Sequence, residues 1–396
     1  LRYAGFRSCS HPCRSSGLPP FTMLKIFSRI GLFTIRTVKP YHGSTIQTQR
    51  RFRCPPLLGS SFVVGSYLCF LLLTDNEQPP EYYPDDLSAT LVRRLPLNAV
   101  SRAICWLAEC KVPVSLRPLI YGSYARLFDC DLKELKQSDL KAYPSMVEFF
   151  TREVTPCLRP IDPTAQLVSP SDGQILHFGP IDPKHEALEQ VKGVRYSLPE
   201  FLGPPEHSVT ERKHTVWPAK GSTDSGRQLY QCVIYLAPGD CHRFYNPTDW
   251  TVVTRRHFPG KLLSVRPSIA ERLPGLYTIN ERVVYLGKWA HGFMSFTAVG
   301  ALAVGGICVP LDRTLLTNTR SDQPVRNRVR ASQFTELPYR QQEMPTEACV
   351  LKGQEFGRFR FGSTIVLVFE APTDRVSWCV QIGQQVKFGQ ALFEIN

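Results

Sequence analysis

The sequence predicts an α+β fold, with an N-terminal helical layer on a mainly antiparallel β sandwich. Two observations carry this. Apolar residues recur at helical spacing from about 86 to 155. From about 165 onward, short runs of Val, Ile, Leu, Phe and Thr alternate with Gly, Pro, Asn and Asp. A chain of 396 residues, 43% hydrophobic, can bury a sizeable core in one large domain or two smaller ones.

The N-terminal end precedes this fold. Residues 1–74 contain no Asp or Glu but hold ten Lys and Arg, so the formal charge of +13 resides mainly there. The remainder carries only about +3 and shows no basic stripe interleaved with aromatics, which argues against nucleic-acid binding. An Arg-rich, Ser- and Thr-containing, acid-free start has the composition of a mitochondrial presequence, here residues 1–56. Leu57 to Leu73 is a 17-residue run without charge, at the short limit for a membrane span. Arg50, Arg51 and Arg53 precede it, and Asp75 and Glu77 follow it. The positive-inside rule then places the basic end in the matrix and the larger C-terminal part in the intermembrane space. Residues 74–85 read as a linker, and 86–396 as a single domain.

Within that domain, Asn98 is placed to cap a helix whose apolar positions are Val100, Ile104 and Leu107. Leu119–Leu127, Leu132–Leu140 and Pro144–Arg152 predict further helices. Strands are predicted at Cys232–Leu236, Gly260–Val265, Arg282–Leu286, Phe293–Val299, Gly305–Val309 and Thr364–Phe369. Pro218–Arg227 and Asn318–Arg330 read as inserted loops. The C-terminal Gly383–Ile395 resembles a lipoyl-type hairpin, and Val168–Ile175 has the complementary strand-turn-strand pattern. Together they suggest a barrel-sandwich element around Ser363. No lysine stands at the hairpin tip in a Met-Lys-Met-like setting, so a lipoyl or biotin carrier is disfavoured. The 13 cysteines include no Cys-x-x-Cys and no zinc-ligand spacing with histidine, so no metal site is predicted.

Phe361-Gly362-Ser363-Thr364 leads directly into the apolar run Ile365–Phe369. As an isolated tetrapeptide it reads as a turn into a strand. It is also a place where a chain can attack itself, because glycine admits strained or positive-φ backbone and the serine Oγ lies next to the preceding carbonyl. An N→O acyl shift followed by elimination would leave Ser363 as an N-terminal pyruvoyl group. That chemistry needs a base, something to orient it, and donors for the oxyanion. His242 is a candidate base, with Asp172 and Asp240 as candidate carboxylates. Asp172 reads equally as an Asx turn.

The ordered blocks resemble phosphatidylserine decarboxylase of the mitochondrial, membrane-bound type. They are Phe149–Arg152 with Arg159–Ile161, Ser169–Gly173, Leu236–Asp240 with His242–Phe244, His257–Gly260, Asn280–Val283, Val299–Ala301 and Lys352–Thr364. The resemblance covers roughly residues 90–396. It implies self-cleavage at Gly362-Ser363 into a β chain and an α chain that stay associated, with a homodimer as a candidate assembly. It also implies a pyruvoyl cofactor derived from Ser363, whose carbonyl forms a Schiff base with phosphatidylserine and drains electrons as CO2 leaves, giving phosphatidylethanolamine. The implied catalytic residues are Ser363, Asp172 and His242.

Two positions depart from the family pattern. Phe361 stands where leucine is usual. Tyr245 stands where a second histidine is expected as the base of an Asp–His–Ser relay, and an unperturbed tyrosine, pKa about 10, is a poor base near neutrality. Three readings stay open. His242 or His257 takes over, cleavage runs slowly on strain and an oxyanion hole, or the chain is an unprocessed, inactive, membrane-anchored lipid-binding relative.

Overall fold

The computed structural model describes residues 97–182, 187–191, 194–203, 226–302, 306–318, 340–360 and 362–395. All of them belong to the unit Leu73–Asn396. The expected leader, anchor and linker (1–56, 57–73 and 74–85) lie outside the described residues, as do nearly all of both inserted loops. Among the described residues no helix is long and apolar enough to cross a membrane.

An eight-stranded antiparallel sheet dominates. Its strands are β2 (Gly173–Pro180), β5 (Arg227–Leu236), β7 (Trp250–Phe258), β8 (Arg282–Trp289), β9 (Gly292–Gly300), β11 (Arg340–Val350), β13 (Ser363–Pro372) and β15 (Gln385–Val386). Their spatial order is β11-β7-β8-β9-β13-β5-β2-β15. The near-continuous apolar runs of β5, β8, β9 and β13 follow from burial of both faces. Side chains alternate across the sheet, so Ile365 and Leu367 enter one core while Val366 and Val368 enter the other.

Short sheets cover the first face. One joins β10 (Ile307–Cys308), β12 (Glu355–Phe359) and β6 (Arg243–Tyr245). The other joins β1 (Leu167–Val168), β16 (Ala391–Ile395) and β14 (Val376–Trp378). Phe244, Phe356, Phe359 and Phe393 pack from them onto the large sheet. The second face is covered by β3 (Ala187–Glu189), β4 (Arg195–Ser197) and three short helices. These helices are α4 (Leu198–Leu202), α5 (Pro267–Ala270) and α6 (Leu276–Ile279). The guanidinium of Arg282 donates to the carbonyls of Glu200, Phe201 and Thr278, at 2.7, 2.9 and 2.7 Å. It thereby satisfies helix carbonyls that have no intrahelical partner.

The N-terminal helices α1 (Leu97–Glu109), α2 (Arg117–Leu127) and α3 (Met146–Phe150) depart from the expected picture. Tyr121, Ala125, Tyr143 and Phe149 form a small core of their own, with Tyr121 and Phe149 stacked at 4.9 Å, instead of roofing the sheet. Asn98 is not a cap. It lies inside α1, where its side chain donates to Gly260 O at 2.8 Å and accepts from Leu262 N at 3.1 Å. Leu132–Leu140 does not form one helix. Asp131 and Asp139 each accept the amide two residues on, which favours two separate 3-10 turns.

Gly260–Val265 is not a strand either. Gly260 presses on the 279–281 backbone, where a Cβ would come within 2.6 Å of Ile279 O and Glu281 N. Asn280 then takes over the work of a ladder. Its Nδ2 donates to Leu263 O and Gly300 O at 2.8 and 2.9 Å, and its Oδ1 accepts from Leu263 N at 3.1 Å. Asn280 is fully buried, so Asn280→Ala would leave these backbone groups unpaired. At about 1–3 kcal/mol per orphaned group, the variant should lose at least about 3 kcal/mol in urea unfolding. An unchanged midpoint would contradict this account.

Candidate active site

Ser363 is the first residue of β13. It lies between Leu236 of β5 and Gly300 of β9. Its side chain is fully buried, and the hydroxyl has no hydrogen-bond partner among the described residues. Alternation turns Ser363 towards the first core and Thr364 towards the second. Gly362 is not in the left-handed region, so positive φ is not what the glycine provides here. A Cβ added to it would meet nothing within 4 Å among the described residues.

The corner around this bond is built twice over. β12 leads into Arg360–Gly362 and β13 leads out. Opposite them, β5 leads into the turn 237–242 and β6 leads out. Phe359 N donates to His242 O at 2.9 Å, so the end of β12 lies against the 237–242 turn. The 237–242 turn is clamped from outside. Tyr124 Oη donates to Pro238 O at 2.8 Å and Arg152 Nη2 to Gly239 O at 2.6 Å. Any Cβ on Gly239 would collide with Phe128 O. The Asp240 carboxylate accepts from Ala237 N at 2.8 Å.

His242 is fully buried, its ring 4.0 Å from that of Phe150. Nδ1 faces the Asp240 carbonyl at 2.9 Å. A carbonyl only accepts, so this contact assigns the proton to Nδ1 and leaves Nε2 as a bare acceptor. Nε2 is buried and has no partner. Burial, with the nearby Arg152 cation, pulls the imidazole down to about 3, so it is neutral at physiological pH. His242 Nε2 and the Ser363 hydroxyl are thus both buried, and neither makes a hydrogen bond among the described residues.

The other expected residues are placed differently. Asp172 is buried, and its two oxygens are engaged. Oδ1 accepts from Arg159 Nε at 3.0 Å and from Phe388 N at 2.8 Å, and Oδ2 accepts from Arg159 Nη2 at 2.8 Å. No hydrogen bond joins Asp172 to His242 among the described residues. Tyr245 pairs with Glu355 and stacks on Phe388 at 3.7 Å. Burial pushes its hydroxyl further above the ordinary tyrosine range, away from use as a base. His257 lies on β7, with β8 and β9 between it and β13. Three interstrand steps of about 4.8 Å separate those strands, and its Nε2 bonds Glu281 at 2.9 Å. His257 is not brought to Ser363.

Arg152, Arg159 and Phe388 support this corner without having been assigned a role from sequence. The arginines stood in ordered blocks, but their local pattern is that of ordinary surface residues. Burial at 5–6% exposure comes only from tertiary packing.

The family profile of phosphatidylserine decarboxylase matches residues 146–394, a span that includes every segment of this corner from α3 onward. A mitochondrial phosphatidylserine decarboxylase proenzyme of Pongo abelii is 37% identical, covering 98% of this chain and 95% of its own length. The chain belongs to the phosphatidylserine decarboxylase family. The corresponding proenzyme of Rattus norvegicus is 42% identical over 76% of this chain and 73% of its own. Proenzyme 1 of Saccharomyces cerevisiae is 34% identical over 75% and 72%.

Within this phosphatidylserine decarboxylase fold, Asp240 supplies a pH test of the corner. Burial pushes its carboxyl up to about 6 from the ordinary 3.8. A folded pKa above the unfolded one costs stability as pH rises through the folded value. Asp240→Asn removes that cost and keeps an acceptor for Ala237 N. The urea midpoint of the variant relative to wild type should therefore be highest above pH 6, and the advantage should fade as pH drops towards 4. A pH-independent difference would contradict the assignment.

Proposed function

We propose that this chain is a self-cleaving proenzyme that decarboxylates phosphatidylserine to phosphatidylethanolamine. The observation that carries the proposal is a fully buried Ser363 at the head of β13, its hydroxyl without a partner among the described residues and its Gly362 neighbour unobstructed there. Membership of a family whose relatives are named proenzymes supports it.

His242 Nε2 takes the Ser363 hydroxyl proton, and Oγ attacks the Gly362 carbonyl carbon. The amide C–N bond breaks as the nitrogen receives the proton, leaving an ester. The ester C–O bond breaks by elimination as the Ser363 Cα proton leaves, giving a Gly362 carboxylate and a dehydroalanine N-terminus. Addition of water and loss of ammonia produce the pyruvoyl group. An orphaned buried hydroxyl beside an unobstructed Gly362 fits such a site. Once formed, the group supplies an electrophilic carbonyl that can capture a primary amine and accept electrons as CO2 departs. The protein contributes position: β5 and β9 fix residue 363 from both sides.

The products of the cut are residues 1–362 and the 34-residue segment 363–396. β13 pairs with β5 from Ser363 to Pro372 and with β9 from Ser363 to Phe369. This supports continued association of the fragments. The pairing of β1 with β16 and of β2 with β15 supports a barrel-sandwich element in which the C-terminal hairpin grips residues 162–174. The acid-free leader and the mitochondrial names of the relatives support a presequence at 1–56. The uncharged run 57–73, with Arg50, Arg51 and Arg53 before it and Asp75 and Glu77 after it, supports a single inner-membrane anchor with the domain from 86 in the intermembrane space.

Intact mass of the mature protein tests the reading. It should show a small fragment beginning at a blocked residue 363 and release of CO2 from carboxyl-labelled phosphatidylserine, both abolished in Ser363→Ala. A wild-type chain that stays whole and releases no CO2 would make it an unprocessed lipid-binding relative instead.

A further inference from the structure

Asp172 sits at the centre of a charge network that spans the scissile bond. Arg159 chelates its two oxygens and also donates to Glu134 through Nη1 at 3.3 Å and through Nη2. Lys387 Nζ lies 3.9 Å from Asp172 and 3.7 Å from Glu134. Glu134, Arg159 and Asp172 belong to the segment before Gly362. Lys387 and Phe388 belong to the segment after Ser363.

The contacts converge on the C-terminal hairpin. Asp172 Oδ1 accepts the Phe388 amide, and the Phe388 ring lies nearly parallel to that of Tyr245, at 16°. Tyr245 N in turn donates to Pro170 O at 2.8 Å, and Gly389 N to Ser169 O at 3.0 Å. Gly173 allows the close approach that holds the turn in place, since a Cβ there would stand 2.5 Å from Tyr235 O. A carboxylate chelated by a guanidinium and holding an amide is an anion already committed. The imidazole at this corner is oriented by a main-chain carbonyl instead.

We propose that in this chain Asp172 is a positioning residue that acts through Phe388, latching the C-terminal hairpin across the scissile corner, and that His242 serves Ser363 without a carboxylate partner. This rests on the self-cleaving reading above. Tyr245 is part of the latch. Its ring occupies the place where a relay histidine is expected and contributes a stacking surface there, not a base.

The test uses the full chain and a double-mutant cycle. Cleavage is followed by appearance of the 363–396 fragment, and hydrogen exchange is read across residues 383–390. Asp172→Asn should slow cleavage less than tenfold, with the pH profile between 5 and 8 keeping its wild-type shape. The same variant should raise exchange at the hairpin at least tenfold. His242→Gln should slow cleavage more than a hundredfold with wild-type exchange. Tyr245→His offers Asp172 a histidine to orient, so Asp172→Asn should cost at least ten times more in that background than in wild type. Loss of cleavage in Asp172→Asn with an unperturbed hairpin, or equal costs in the two backgrounds, would overturn the proposal. If wild type makes no cut, the decarboxylase reading fails by itself. Exchange at 383–390 in the uncut chain still decides the latch, and unchanged protection in Asp172→Asn would overturn it.

Discussion

Ser363 is covalently the first residue of a strand that is paired along both edges, and much of the structure answers to that constraint. A serine on a loop could drift, whereas one at the start of β13 is fixed by Leu236 on one side and Gly300 on the other. Ile365, Val366, Leu367, Val368 and Phe369 are all fully buried. At roughly 1.5–3 kcal/mol for burying each such side chain, the strand is held far more firmly than any single polar contact could hold it. The same burial forces the site to be desolvated. Ser363 cannot be surrounded by water and also begin the central strand.

Desolvation then dictates how charge is handled nearby. Unpaired ions are expensive in such a place, so the ionic residues of this region are paired or bonded to backbone. Further along the sheet, Arg255 meets Asp312 at 2.8 Å, and His257 Nε2 is hydrogen-bonded to Glu281 at 2.9 Å. Arg159 meets Asp172, and Arg152 spends one nitrogen on the Gly239 carbonyl. These pairs bind together segments distant in sequence. The corner draws on residues near 128, 152, 240, 280, 359 and 388, and none of them is adjacent in the chain.

That dispersal explains what the sequence disclosed and what it hid. The β-rich C-terminal region was legible, because strands buried on both faces read as apolar runs whatever they pair with. Ser363 and His242 stood out as candidates in ordered blocks, and the structure buries both completely. Asn98 was misread as a cap because local rules reward asparagine before an apolar helix, whereas its side chain is claimed by the loop at 260–262. Gly260–Val265 failed as a strand because a side chain, Asn280, replaces the backbone partner, and composition cannot reveal that substitution. The glycine at 362 was read for handedness, yet it is not in the left-handed region.

Neutrality suits the first step of the proposed self-cleavage. A base pulled down to about 3 is weak, but its conjugate acid is correspondingly eager to give the proton up. In an N→O acyl shift the proton leaves an oxygen and ends on the amine nitrogen released from the same carbonyl. No net charge need persist in the buried corner. A relay carboxylate would stabilise an imidazolium that this step has no reason to store, and the neighbouring Arg152 cation disfavours that ion further. The Nδ1 contact with a neutral carbonyl keeps the ring oriented while leaving its charge uncompensated. Under the proposed self-cleavage, a neutral Nε2 would pass a proton on more readily than hold it.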